Sequence, residues 1–239
     1  VLQLLGDHDV VGGVGQDDEA FLHERARGGQ QPFDVGVERL LVFEDLDAQY
    51  DVVVRATRSG DQIVIRTINR VTTEEWLVDA HRPEEPARVV APRESGIEYT
   101  VEHVAGSDGG ELLIVTNAGA TEYRLVRAPL ATPGREHWAE VVAEHPTERM
   151  VVADAFADHV VITLVSQARR ILRVLPVAAL GADDVDLRSL DIEARSAAGI
   201  IELSHNEEYG ADRVLVVEQS YTSPPRWYEV DLVTGERAL

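Results

Sequence analysis

Apolar positions along the chain fall into short runs of two kinds. Residues 111–128 show both. Leu112, Leu113, Ile114 and Val115 form a solid apolar run of strand length, and Asn117 and Gly119 supply a turn. Beyond the turn, Tyr123, Leu125 and Val126 are interspersed with Glu122, Arg124 and Arg127. A solid run predicts a strand covered on both faces, and an alternating run a strand with one wet face. The pair recurs along the chain.

From Arg39 onward the runs group in fours. The predicted strands are 42–43, 52–54, 62–67 and 74–80, then 88–90, 98–104, 111–116 and 122–128. A third group holds 139–143, 151–156, 159–166 and 171–177, and a fourth 187–192, 199–204, 213–220 and 227–233. The third strands start at Gln62, Glu111, His159 and Arg213, steps of 49, 48 and 54 residues. The fourth start at Glu74, Glu122, Ile171 and Trp227, steps of 48, 49 and 56. The acidic segment 205–212 and the turn 222–225 absorb the longer last step. Four strands per period of this length predict blades of a β-propeller, whereas a β-sandwich has no reason to hold a fixed four-strand period. The expected fold is therefore all-β, with about four four-stranded blades at 39–83, 86–130, 136–180 and 186–239. Solid runs are expected on inner strands, and Trp76, Tyr123 and Tyr228 among charges on outer ones. Pro176 is expected in an outer strand, where a missing donor is tolerated. Closure of four blades would require the first and last to meet; an open arc would leave strand edges bare.

Residues 1–38 break the pattern. Gly12, Gly13, Gly15, Gly28 and Gly29 crowd the segment, and no alternation is visible, so it is expected to be loosely structured. Asp7-His8-Asp9 resembles a metal-ligand triplet, but strand geometry would point His8 away from both acids, and a surface loop is the expectation. Gly13-Val14-Gly15 lacks the third glycine of a dinucleotide fingerprint, with Asp18 in its place.

Composition narrows the function classes. Formal charge is −21, with 43 acidic against 22 basic residues among 239, which disfavours nucleic acid as a partner. The acids are spread along the chain, as on a solubility surface; attraction of basic peptides is the functional alternative. No apolar run approaches the ~18 residues of a membrane span, and no signal peptide is visible. Cysteine is absent, which excludes disulfides and thiolate chemistry and fits a cytoplasmic location.

Residues 41–239 resemble the N-terminal propeller of the prolyl oligopeptidase family, most closely the oligopeptidase B (protease II) branch. The resemblance is carried by residues 41–45 (LVFED), 72–77 (TTEEWL) with Asp79-Ala80, 88–93 (RVVAPR), 99–103 (YTVEH), 112–120 (LLIVTNAGA) with Leu125, and 228–231 (YEVD) with Thr234-Gly235-Glu236. It implies a fragment of a seven-bladed propeller that covers the serine-histidine-aspartate site of an α/β-hydrolase peptidase domain and excludes large folded substrates, with cleavage after basic residues of short peptides. The peptidase domain would start just after residue 239, and the initial helices and about three early blades would precede this stretch. Residues 1–38 do not match a preceding blade; a misassigned or frame-shifted start and a divergent blade are both open.

Within that resemblance one serine needs weighing. Ala105-Gly106-Ser107-Asp108-Gly109-Gly110 looks like the family's Gly-Gly-Ser-x-Gly-Gly elbow, which requires a strand-to-helix turn. Here a strand comes next, and Ala105 crowds the turn, so Ser107 is expected in a hairpin. His103, His145, His159 and His205 have no triad context. Asp154 and Asp158 are expected in turns, and Asp183-Asp184 and Glu207-Glu208 in solvated loops. No phosphate loop, zinc spacing or base-stacking platform appears. The expectation is thus a chain with no catalytic, metal or cofactor residue, whose partners are a peptidase domain and short, possibly basic, peptides. The alternative is a stand-alone propeller that binds a peptide or protein.

Overall fold

The computed structural model describes residues 2–4, 10–14, 20–24, 40–180, 190–196 and 198–238, with side chains from residue 42 onward. Asp7-His8-Asp9 and Asp183-Asp184 lie outside the described residues. The chain divides into two compact units, Val1–Glu98 and Tyr99–Leu239.

The first unit holds two four-stranded sheets. Strands β1 (Leu2–Leu4), β2 (Val10–Val14), β3 (Ala20–Glu24) and β4 (Leu40–Phe43) form one, in the order β2-β3-β1-β4 with β1 and β3 parallel. Three of these strands fall in the segment expected to be loosely structured. They are short, and Gly12 and Gly13 sit inside β2, so they carry no alternation to read. The second sheet is antiparallel, in the order β5 (Asp51–Ala56), β6 (Gln62–Ile68), β7 (Thr73–Asp79), β8 (Arg88–Val89).

The second unit repeats that sheet three times. The strands are β9 (Tyr99–Val104), β10 (Glu111–Thr116), β11 (Arg124–Pro129) and β12 (Ala139–Val142), then β13 (Glu148–Ala155), β14 (His159–Ser166), β15 (Arg169–Pro176) and β16 (Leu190–Glu193). The last sheet holds β17 (Gly199–Leu203), β18 (Arg213–Ser220), β19 (Ser223–Asp231) and β20 (Arg237–Ala238). All three are antiparallel meanders with neighbours in chain order. From the second sheet of the first unit onward, first strands begin at Asp51, Tyr99, Glu148 and Gly199, steps of 48, 49 and 51 residues. The predicted four-strand pulse is there.

Its phase differs from the predicted blade limits. Residues 88–89, 139–142 and 190–193 are expected from spacing to join the strands after them; their backbones pair backward instead. Val89 lies opposite Trp76, Val142 opposite Leu125, and Ile192 opposite Leu172. A period is the same wherever counting starts, so spacing alone does not say which strand opens a sheet. The strands predicted to be outer are therefore third of four. Pro176 is tolerated because it ends β15, opposite His159 and beyond the stretch paired to β16, and not because β15 is an edge. Pro224 and Pro225, expected in a turn, begin β19 beside a register shift at Glu218–Ser220.

The solid apolar runs have the predicted cause. Val160, Ile162 and Leu164 of β14 pack with Leu113, Val115 and Leu125 of the preceding sheet. Val161 turns the other way, into a second core with Ile201, Val214, Val216, Tyr228 and Val230 of the following sheet. Alternate side chains of one strand thus serve two cores, so neither face admits a polar residue cheaply. In the first unit, Val52, Ile63, Ile65 and Val78 form a smaller core, flanked by Phe43 and Trp76 with ring centroids 5.3 Å apart.

Candidate functional site

Ser107 lies exposed in the hairpin between β9 and β10, and a strand comes after it where a nucleophile elbow needs a helix. The turn closes through Gly109 and Gly110, both at positive φ, +91° and +85°. His103 is buried beneath it at 1% exposure, with Nε2 2.9 Å from the carbonyl oxygen of Gly109. That bond ties the imidazole to the turn.

The other singled-out residues are dispersed. His145 is exposed and bonds Thr147. His159 opens β14, with a buried Nδ1 that has no hydrogen-bond partner among the described residues. His205, Glu207 and Glu208 are exposed in the 204–212 loop. Asp158 is in a turn as expected, but Asp154 lies within β13, opposite Val161. Among the described residues, no three His, Asp or Glu side chains cluster as a metal ion would need. The 204–212 loop, which reads in the sequence as an insertion, has a structural role. Tyr209 Oη accepts the Ala105 N–H at 2.9 Å, and the Tyr209 carbonyl accepts the Ala157 N–H at 2.8 Å, so the loop ties the first hairpins of all three sheets of the unit. Asn206 replaces a ladder residue, accepting from the Leu215 N–H and donating to the Leu215 carbonyl.

The stretches that carry the family resemblance in the first unit converge on Arg93. Its guanidinium donates to Glu74 at 3.0 and 3.2 Å, to Thr67 at 3.2 Å and to Asp45, and stacks over Tyr50 at 4.0 Å. The Arg93 backbone N–H also donates to Glu74, at 2.8 Å. Burial alone would lower the Arg93 pKa; the Asp45 and Glu74 carboxylates outweigh it and push it upward. Beside this knot, Glu75 is fully buried and is held by Arg66, with Arg55 4.0 Å away. The residues at 45, 74 and 93 thus form an ion-pair staple, which spacing in the sequence does not reveal because the three sit on separate segments.

One cleft in the second unit gathers several polar groups. It has a volume of about 310 Å³ and opens at the β18–β19 hairpin, with Arg195, Ser196, Glu218, Ser220, Ser223 and Arg226 among its lining residues around Tyr228. Arg226 lies opposite Glu218 and Tyr228 opposite Val216, which puts these side chains on the face that continues into the core. The Arg195 guanidinium stacks over the Tyr228 ring, 4.5 Å from its centroid. Glu218 is already occupied: one oxygen accepts the backbone N–H groups of Arg195 (2.7 Å) and Ser196 (3.4 Å), and the other pairs with Arg237 at 3.3 Å. The sequence does not signal this cleft, since Arg195 and Arg226 fall in segments that read as connections.

Comparison with known proteins agrees with the repeat. Residues 37–239 match the family model described as prolyl oligopeptidase, N-terminal β-propeller domain. A prolyl endopeptidase-like protein of Xenopus laevis is 29% identical over 80% of this chain and 26% of its own length. Dipeptidyl aminopeptidase BI of Pseudoxanthomonas mexicana is 29% identical over 94% of this chain and 29% of its own. The structure of oligopeptidase B from Trypanosoma brucei, in a closed form with covalently bound antipain, superposes with a TM-score of 0.73 at 20% identity, over 84% of this chain and 28% of that one. The chain spans under a third of the length of these relatives. With the model matched over most of its residues and its sheets repeating as propeller blades do, the chain belongs to the prolyl oligopeptidase N-terminal β-propeller family.

Proposed function

We propose that this chain is the propeller part of a serine oligopeptidase of the oligopeptidase B type, that it docks on an α/β-hydrolase peptidase domain, and that it limits access to short peptides. On this reading the stretch supplies no reacting group. A cytoplasmic location accompanies it, supported by the absence of cysteine; among the described residues no helix is long and apolar enough to cross a membrane. The observation that carries the reading is the match of residues 37–239 to the propeller model. The placement of Ser107 in a hairpin supports the absence of chemistry, because a hairpin offers no helix N-terminus to an oxyanion.

The test has two parts. The purified chain should leave basic dipeptide reporters uncleaved, and any activity abolished by Ser107→Ala would overturn the non-catalytic assignment. A longer reading frame that includes a peptidase domain should cleave short basic peptides and spare folded proteins. If deleting residues 40–239 from that longer protein leaves its size selectivity unchanged, the gating role is wrong. The cleft at Arg195 and Arg226 favours a second reading, a self-standing binding module, because its walls need no other domain.

A further inference from the structure

The cleft at the β18–β19 hairpin presents positive charge of a kind that is neutralised at most other arginines among the described residues. With 43 acidic residues to 22 basic ones, carboxylates are in excess, and most described arginines have one within 4 Å. Arg213, on the same hairpin, is 3.6 Å from Asp231. Arg195 and Arg226 have no carboxylate within that distance among the described residues, although both line one cavity. Glu218, the acid directly across the ladder from Arg226, is spent on two backbone N–H groups and on Arg237, and its side chain is only 12% exposed.

The Arg195 guanidinium carbon lies over the Tyr228 ring, 4.5 Å from its centroid, a cation–π contact that spends none of the guanidinium's N–H donors. Hydroxyls of Ser196 and Ser223 border the same space, as do Ser220, whose Oγ already accepts the Thr222 N–H at 3.3 Å, and the occupied Glu218. Two guanidiniums with free donors and several hydroxyls are a receptor for a planar oxyanion. A volume near 310 Å³ is at the small end for ligand sites and admits a group of one or two residues, not a folded surface. We propose that this cleft binds a carboxylate carried by a short peptide, either its C-terminus or an acidic side chain. The described lining residues all fall within 195–228, so binding is expected of this chain alone and stands apart from the peptidase reading.

The experiment is calorimetric titration of the 239-residue chain with three probes: N-acetyl-Ala-Ala as free acid, the same dipeptide as its amide, and N-acetyl-Asp-Ala amide. The free acid is expected to bind at least about tenfold more tightly than the plain amide. Tighter binding of the aspartyl amide would identify the side chain as the source of the carboxylate. Arg195→Gln and Arg226→Gln should each weaken the acid by about tenfold or more, while Arg213→Gln leaves it unchanged. Equal affinity for acid and amide, no heat with any probe up to about 10 mM, or stronger binding of inorganic phosphate than of either acid would overturn the proposal. So would unchanged affinity in Arg226→Gln with a parent-like unfolding midpoint. If a variant fails to fold, the acid–amide comparison on the parent chain still decides.

Discussion

Replacing Gly110 by alanine tests the hairpin that holds Ser107. A Cβ at Gly110 would lie 2.2 Å from the carbonyl oxygen of Val104 and 2.7 Å from Nε2 of His103, and φ is +85°. At Gly109, one residue earlier, φ is +91° but a Cβ meets nothing within 4 Å. The two positions separate strain from collision. Left-handed backbone costs an alanine about 1–2 kcal/mol, and the stiffer unfolded chain returns about 0.4–1 kcal/mol, so Gly109→Ala should cost about 1 kcal/mol. Gly110→Ala carries the same strain plus an overlap with backbone, which cannot step aside as a flexible side chain can. Overpacking of this kind adds about 1–3 kcal/mol, for a total of about 2–4 kcal/mol. Urea unfolding of both variants, followed by far-ultraviolet circular dichroism with the m-value held, measures the difference. If Gly110→Ala costs no more than Gly109→Ala, the hairpin is not closed against Val104 and His103 in this way.

Three further outcomes rest on the same geometry. Arg93→Ala should destabilise by about 2–3 kcal/mol in urea melts, below the value for a fully buried pair because the Arg93 side chain is 27% exposed; a loss under about 0.5 kcal/mol would show that Glu74 does not depend on it. Gln167 and Ala168 form the tight β14–β15 turn with both φ positive, +49° and +62°, so Ala168→Gly should stabilise by about 0.5–1 kcal/mol, and a lowered urea midpoint would contradict this. Asp231 has its pKa lowered from 3.8, first by the Thr234 backbone N–H at 2.8 Å, then by the Thr234 hydroxyl and the Val233 N–H. A depressed carboxylate stabilises above its unfolded value, and that contribution is lost as pH falls through the folded one. The melting temperature of Asp231→Asn should therefore fall less than the parent's between pH values on either side of 3.8, and parallel curves would refute it.

How legible each part of this molecule is in the sequence depends on what that part is built from. Strand positions depend on local apolar runs, and β6, β10, β14 and β18 appear where residues 62–67, 111–116, 159–166 and 213–220 predict them. Sheet membership depends on which distant strand a short polar segment pairs with, and the two residues of β8 carry no such signal. The Gln167-Ala168 turn is invisible in the sequence because neither residue is a glycine or asparagine, the usual tenants of positive φ. Ser107 is legible as a turn residue because the criterion is local: β10 begins four residues later, at Glu111. The Arg93 staple and the Arg195–Arg226 cleft are not legible, since each joins residues 19 to 48 positions apart, as with Arg93 and its partners Glu74 and Asp45.

The two-sided burial of β14 makes odd and even numbering matter along it. A substitution at Ile162 disturbs the sheet before it, and one at Val161 the sheet after it, although the two are adjacent in the gene. Deleting a single codon ahead of them would exchange what each neighbour receives, handing three large side chains to a gap shaped for fewer. Drift at these sites should therefore obey two separate partner lists that interleave residue by residue, like two messages printed on alternate lines.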